Sequence, residues 1–195
     1  ASDLVDLGHL SDMRGITEDN GCIVIKATTP HAVVNASGLV QQKIPALAKL
    51  AGSIGDPLVR NRGTIGGNIA NASPIADWPP LLLALDAKLQ LMNSAGATRI
   101  VPLSEYYLGY KQTVLAADEF LISVNLPGSV DWQALVAYKV SKRIEDDISS
   151  TMGAVYLQRD QGIVRTCRIA FGGVAAMPIR LADVEALLLD KFLDE

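Results

Sequence analysis

The spacing of apolar positions changes along the chain, and each change marks an element. Residues 16–27 read as a hairpin: Asp19-Asn20-Gly21 makes the turn, because Asn-Gly tolerates positive φ, and Cys22-Ile23-Val24-Ile25 is a short β-prone run. From Ala32 the period becomes helical. Ile44, Leu47, Ala48 and Leu50 then fall on one face before Gly52 and Gly55 interrupt it. Further on, Asp77 is the expected N-cap of the apolar run Leu81-Leu82-Leu83-Ala84-Leu85, with Pro79 and Pro80 tolerated in the first helical turn.

Alternation then takes over. Residues 88–92 and 98–101 flank Asn93-Ser94-Ala95-Gly96 and predict a second hairpin. Residues 120–126, 134–140, 154–159 and 164–171 predict four more strands, the last two joined through Asp160-Gln161-Gly162. A closing helix is predicted over residues 179–192, with Leu181, Val184, Leu187 and Leu188 on its buried side. Hairpins and helices without strict βαβ alternation point to an α+β fold: a mostly antiparallel sheet with flanking helices, then a smaller antiparallel sheet plus helix. Pro127-Gly128-Ser129 is the expected joint, dividing the chain into 1–128 and 129–195.

Composition narrows the function. At 195 residues the chain can bury a substantial core without disulfides. Its only cysteines, Cys22 and Cys167, lie too far apart for a paired metal motif and read as small buried hydrophobes of a reduced, cytoplasmic protein. A net charge of −4 with 5% aromatic residues offers no basic, base-stacking stripe and argues against nucleic acid. The longest apolar run, Leu81 to Leu85, is far below the ~20 residues of a membrane span.

The densest group of special residues runs from Arg60 to Asp77 and centres on Thr64-Ile65-Gly66-Gly67-Asn68. Adjacent glycines let backbone amides turn toward an anion, and a carboxylate at the far end suits sugar or polyol hydroxyls. A tight structural loop accounts for the same residues equally well, since neither a Walker loop nor a Gly-x-Gly-x-x-Gly pattern is present.

The segment Val59-Arg60-Asn61-Arg62-Gly63-Thr64-Ile65-Gly66-Gly67-Asn68-Ile69-Ala70-Asn71-Ala72-Ser73-Pro74 resembles the second flavin motif of the FAD domain of molybdenum hydroxylases: xanthine dehydrogenases, aldehyde oxidases and carbon-monoxide-dehydrogenase flavoproteins. The stretch from Tyr138 to Ser149 resembles the segment that opens the family's carboxy-terminal subdomain. Its Lys-x-Ser-Lys-Arg and Asp-Asp-Ile-Ser elements lean toward the FAD-carrying subunit of bacterial xanthine dehydrogenases. Ala170-Phe171-Gly172-Gly173-Val174-Ala175-Ala176-Met177-Pro178-Ile179-Arg180 is similar again.

That resemblance implies the second FAD-binding subdomain followed by a carboxy-terminal one. It implies diphosphate contacts at Thr64, Gly66, Gly67 and Asn68, with Asn71 and Ser73 nearby, and sugar or ribityl hydroxyls held by Asp77. Leu121 matches an apolar residue of the flavin pocket, Lys139 a basic residue close to the ring, and Asp146 an acidic position near its reactive face. In the whole enzyme, electrons from purine oxidation at a molybdopterin centre pass through 2Fe-2S clusters to FAD and on to NAD⁺. The molybdopterin-binding and iron-sulfur units are thus implied partners in a hetero-oligomer, with a homodimer as the alternative for the isolated piece. The family's first flavin loop is expected upstream of residue 3, so the chain reads as a fragment, inactive alone.

Other residues have plain readings. His9 and His31 stand alone and suit structural or surface roles. Trp78 and Trp132 suit packing at subdomain edges. Without the resemblance, Lys142-Arg143 and Glu145-Asp146-Asp147 read as a solvated charged loop.

Overall fold

The computed structural model describes residues 5–128, 131, 134–143 and 147–193. Its first sheet starts with the hairpin β1 (Ile16–Asp19) and β2 (Cys22–Lys26), whose turn carries Asn20 at φ 48° and Gly21 at φ 78°. Short helices follow: α1 (His31–Ala36), α2 (Gly38–Lys43), α3 (Pro45–Gly52), α4 (Pro57–Arg62), α5 (Ile65–Ala70) and α6 (Trp78–Ala84). Helix α1 packs on α3 and α4, while α5 lies on the sheet. The face of α3 foreseen from spacing, Leu47, Ala48 and Leu50, is buried together with Ile44.

A second hairpin, β3 (Lys88–Asn93) and β4 (Thr98–Pro102), precedes a two-stranded ribbon, β5 (Tyr107–Gly109) and β6 (Gln112–Thr113). Strand β7 (Glu119–Leu126) then completes a five-stranded sheet in the order β1-β2-β7-β3-β4, antiparallel at every described pair. The chain leaves this sheet at Gly128, where any side chain would run into the Gly21 carbonyl.

The second sheet has the order β11-β10-β9-β8 and is also antiparallel. It is built from β8 (Leu135–Val140), β9 (Thr151–Asp160), β10 (Ile163–Gly172) and β11 (Ile179–Arg180), and α7 (Ala182–Leu188) packs on β10. The β9–β10 turn places Gln161 at φ 50° and Gly162 at φ 82°. The α+β, antiparallel fold expected from the pattern is therefore the one observed.

One core runs through both sheets. Helix α6 is fully buried between them, and its leucines share a cluster with Leu89 and Val124 of the first sheet and Met152, Ala154, Tyr156 and Ala170 of the second. A smaller cluster of Val164, Cys167 and Ile169 lies under α7.

Three local readings are corrected. The predicted closing helix over 179–192 is shorter, because Ile179 and Arg180 pair with β10 as β11. Leu181 and Leu188 pack inward as the spacing predicts, whereas Val184 and Leu187 are exposed. The most buried residue of α7 is instead Glu185, whose carboxylate takes the Ile169 N–H at 2.8 Å and the Arg180 guanidinium. Cys22 is exposed rather than buried, since the strand alternation puts Ile23 and Ile25 inward instead.

Candidate functional site

Helix α5 carries the Gly-Gly pair, and its surroundings decide what those glycines do. Thr64 is the N-cap, its Oγ1 accepting the Gly67 N–H at 3.1 Å. The Ile65 N–H donates to Thr29 O at 3.1 Å, Gly66 N–H to Ala27 O at 2.9 Å and Asn68 N–H to Thr64 O at 3.1 Å. Every amide from Ile65 to Asn68 is thus spent within the protein. Gly66 is buried, and an added Cβ there would stand 2.6 Å from both Cβ and O of Ala27. Gly67 is exposed, with only the Thr64 hydroxyl within reach of an added Cβ.

Asp77 sits in the N-cap position of α6 without capping it. Pro79 and Pro80 have no N–H to offer in the first turn, so the carboxylate is released elsewhere. It is buried, with Oδ1 accepting the Ser149 hydroxyl and Oδ2 paired with Lys139 Nζ at 3.1 Å. Lys139 Nζ also donates to Ser53 O at 3.0 Å. An ammonium has three donors, so one remains for a ligand. The pair lies between side chains only 13% and 8% exposed, where attraction is weakly screened.

Lys139 opens onto a cleft of about 440 Å³ between α3 and β8. Leu50, Leu135 and Met152 give it apolar walls, and Lys49 and Lys139 give it two cations. Such a site can stack a flat ring and hold negative charge at its edge.

Behind Asp77 lies a buried aromatic pair. The Trp78 indole N–H donates to His31 Nδ1 at 3.1 Å, with ring centroids 5.8 Å apart. Burial pushes the His31 imidazole down to about 4, against the opposing pull of the Asp77 charge, so the ring is neutral at pH 7.

Comparison with known proteins places this arrangement. Residues 1–129 match the family described as the FAD binding domain in molybdopterin dehydrogenase, and residues 136–195 match the CO dehydrogenase flavoprotein C-terminal domain. The chain belongs to this FAD-binding family.

Among relatives of this flavoprotein family, the carbon monoxide dehydrogenase medium chain of Hydrogenophaga pseudoflava is 35% identical over 188 residues, covering 96% of this chain and 65% of that protein. The putative xanthine dehydrogenase FAD-binding subunit of Escherichia coli K12 is 34% identical over 184 residues, covering 93% and 63%. The solved Cu,Mo-CO dehydrogenase in its cyanide-inactivated form superposes with a TM-score of 0.89 at 30% identity, covering 97% of this chain and 66% of that one. The chain thus spans slightly under two thirds of the relatives' length.

The residues expected at a flavin site of this family do not all converge. Asp77 and Lys139 meet directly. Thr64, Gly67 and Asn68 lie on one short helix, which is tied to α6 by Asn68 Oδ1 accepting the Trp78 N–H at 3.4 Å. Asn71 is exposed at the C-cap of α5, and Ser73 Oγ takes the Ile75 N–H at 3.4 Å. Gly66 lies against Ala27, the residue after β2, with its N–H donated to Ala27 O. Leu121 is buried in the first sheet opposite Leu91. Asp146 lies outside the described residues. Sequence reasoning gave no role to Lys49, Leu50, Ser53 or Ser149. Nothing in their local pattern marks them, because each gains its role only from a distant partner.

Proposed function

We propose that this chain is the flavin-holding part of a xanthine-dehydrogenase-type molybdenum hydroxylase, passing electrons from iron-sulfur clusters through FAD to NAD⁺ during hypoxanthine or xanthine oxidation. The observation that carries the reading is the apolar cleft edged by Lys139 and backed by Asp77 and Ser149. Its walls suit an aromatic ring and its cations a dianionic cofactor, so the residues present fit FAD. Bound FAD supplies a two-electron carrier that accepts from one redox partner and gives to another.

The protein's own share is positioning. Lys139 would hold the negative charge of bound flavin with its remaining N–H, and the apolar Leu50 and Met152 would keep water from the cleft. Each Asp77 oxygen retains a lone pair for a ribityl or ribose hydroxyl. Thr64, Asn68, Asn71 and Ser73 offer side chains to the diphosphate, and Gly67 leaves the helix surface open for its approach. The division into subdomains 1–128 and 129–195, a cytoplasmic location, and assembly with molybdopterin-binding and iron-sulfur partners belong to the same proposal. Among the described residues no helix is long and apolar enough to cross a membrane.

Titration of FAD into the purified chain, followed by flavin fluorescence, tests the reading. Saturable quenching that Lys139→Met weakens is expected; no uptake at all would make the chain a cofactor-free structural piece. The similar identities to carbon monoxide and xanthine dehydrogenase relatives favour a second reading, a flavoprotein of a carbon-monoxide- or aldehyde-oxidising enzyme. NADH reduction of the bound flavin supports the NAD⁺-linked assignment, and failure of that reduction favours the second.

A further inference from the structure

Helix α6 begins in a way that leaves its orientation to a side chain. Trp78 is its first residue and is followed by Pro79 and Pro80, which remove two of the backbone donors a helix start normally uses for capping. Asp77 supplies no cap hydrogen bond. The Trp78 N–H reaches only a long 3.4 Å contact with Asn68. The firm polar tether at this corner is therefore the indole N–H to His31 Nδ1, at 3.1 Å.

His31 is well placed to serve as that tether. It opens α1, its backbone N–H donates to Gly63 O at 3.0 Å, and its ring packs so closely on Gly63 that an added Cβ would lie 3.0 Å from Nε2. The imidazole is 3% exposed. An indole N–H is only a donor, so Nδ1 must be an unprotonated acceptor and the ring's proton sits on Nε2. One side chain thus joins the residue before Thr64 to the residue after Asp77.

We propose that His31 is a positioning residue for the cofactor site: by accepting the Trp78 indole N–H it fixes the start of α6, and so holds Asp77 in register with Lys139 and Ser149. This rests on the α3–β8 cleft being the flavin site. A histidine serving packing alone would affect stability but leave the geometry of Asp77 and the affinity of the folded chain for FAD unchanged.

Four variants of the full chain separate these roles: His31→Leu, Trp78→Phe, the double variant, and His31→Asn, whose Oδ1 stands near the place of Nδ1. FAD affinity is measured by fluorescence titration well below the melting temperature, alongside the Trp78 indole ¹⁵N–H and Asp77 carboxyl ¹³C resonances. Losing the tether should weaken FAD by about tenfold in either single variant, because Asp77 is no longer held in register with Lys139 and Ser149. The double variant should be no worse than either single, and His31→Asn should recover to within about threefold of the unaltered chain, since the two side chains act as one unit.

FAD affinity unchanged in His31→Leu while the indole resonance shifts would overturn the proposal, as would additive losses in the double variant. If the unaltered chain takes up no FAD, the flavin-site reading fails by itself. The tether is then decided by the Asp77 resonance, which should move in His31→Leu and return in His31→Asn; an unmoved resonance refutes it.

Discussion

Alanine substitution at the two adjacent glycines of α5 should give opposite results. At Gly66 a Cβ would meet the Cβ and O of Ala27 at 2.6 Å each, against buried strand-end backbone with no flexible tip to move aside. Relief requires α5 to retreat from β2, which stretches the Gly66–Ala27 and Ile65–Thr29 hydrogen bonds. Overpacking of this kind costs about 1–3 kcal/mol, two weakened hydrogen bonds add roughly 1–2, and the better helix propensity of alanine returns up to about 1. The net loss is about 1–4 kcal/mol, or a fall in Tm of roughly 2–16 °C for a protein of this size. Gly67 faces solvent, and its only close neighbour is the rotatable Thr64 hydroxyl at 3.0 Å. Alanine there should lie within about 1 kcal/mol of the unaltered chain. Urea unfolding by circular dichroism reads both. FAD titration adds the functional arm: Gly67→Ala should weaken binding while leaving the fold intact, because its methyl group occupies the surface assigned to the diphosphate. A Gly66→Ala chain as stable as the original would refute the packing argument.

Three further outcomes follow from the same geometry. Lys139→Met strands the buried Asp77 carboxylate and should cost about 3–5 kcal/mol in urea unfolding, with Asp77→Asn in the same chain restoring part of it. His31 has a folded-state value of about 4, below its unfolded 6.5, so the unfolded chain binds more protons between those limits. Stability should therefore be full above about pH 6.5 and fall by roughly 3 kcal/mol as pH drops toward 4, and His31→Asn should flatten that part of the profile. Glu185→Ala removes the acceptor of the Ile169 N–H and the partner of Arg180, and should lower stability by about 2–4 kcal/mol in thermal unfolding, whereas Leu187→Ala on the exposed side should change it by less than about 1.

What could be read directly from the sequence was local. Asn20-Gly21 and Gln161-Gly162 fix their hairpins because positive φ is needed within a few residues of the strands they join. The antiparallel class follows from such short connections. Glu185 escaped because a helical pattern treats a carboxylate as a surface residue, and only Arg180 and the Ile169 N–H on neighbouring strands make it an inner one. Asp77 reads as a helix cap for the same reason: its partners, Lys139 on β8 and Ser149 in the β8–β9 connection, lie 62 and 72 residues away. The two prolines after it, which were read as merely tolerated, are the local feature that releases the carboxylate from capping.

The Gly-Gly pair shows why a motif can identify a family more surely than it locates a contact. A glycine is required wherever backbone comes close to something, and the sequence does not say whether that neighbour is a ligand or the protein's own strand. Here the two positions divide the uses: Gly66 admits Ala27, just after β2, and Gly67 leaves the helix surface bare. The seating of α5 against Ala27 then fixes where Thr64, Gly67 and Asn68 stand relative to Asp77, through Asn68 and Trp78. Any cofactor held there meets a surface whose amides are already committed to the fold. In the proposed site its anionic groups would be met by side chains and by Lys139, so that binding there would depend on the second sheet staying docked against α3 and α6.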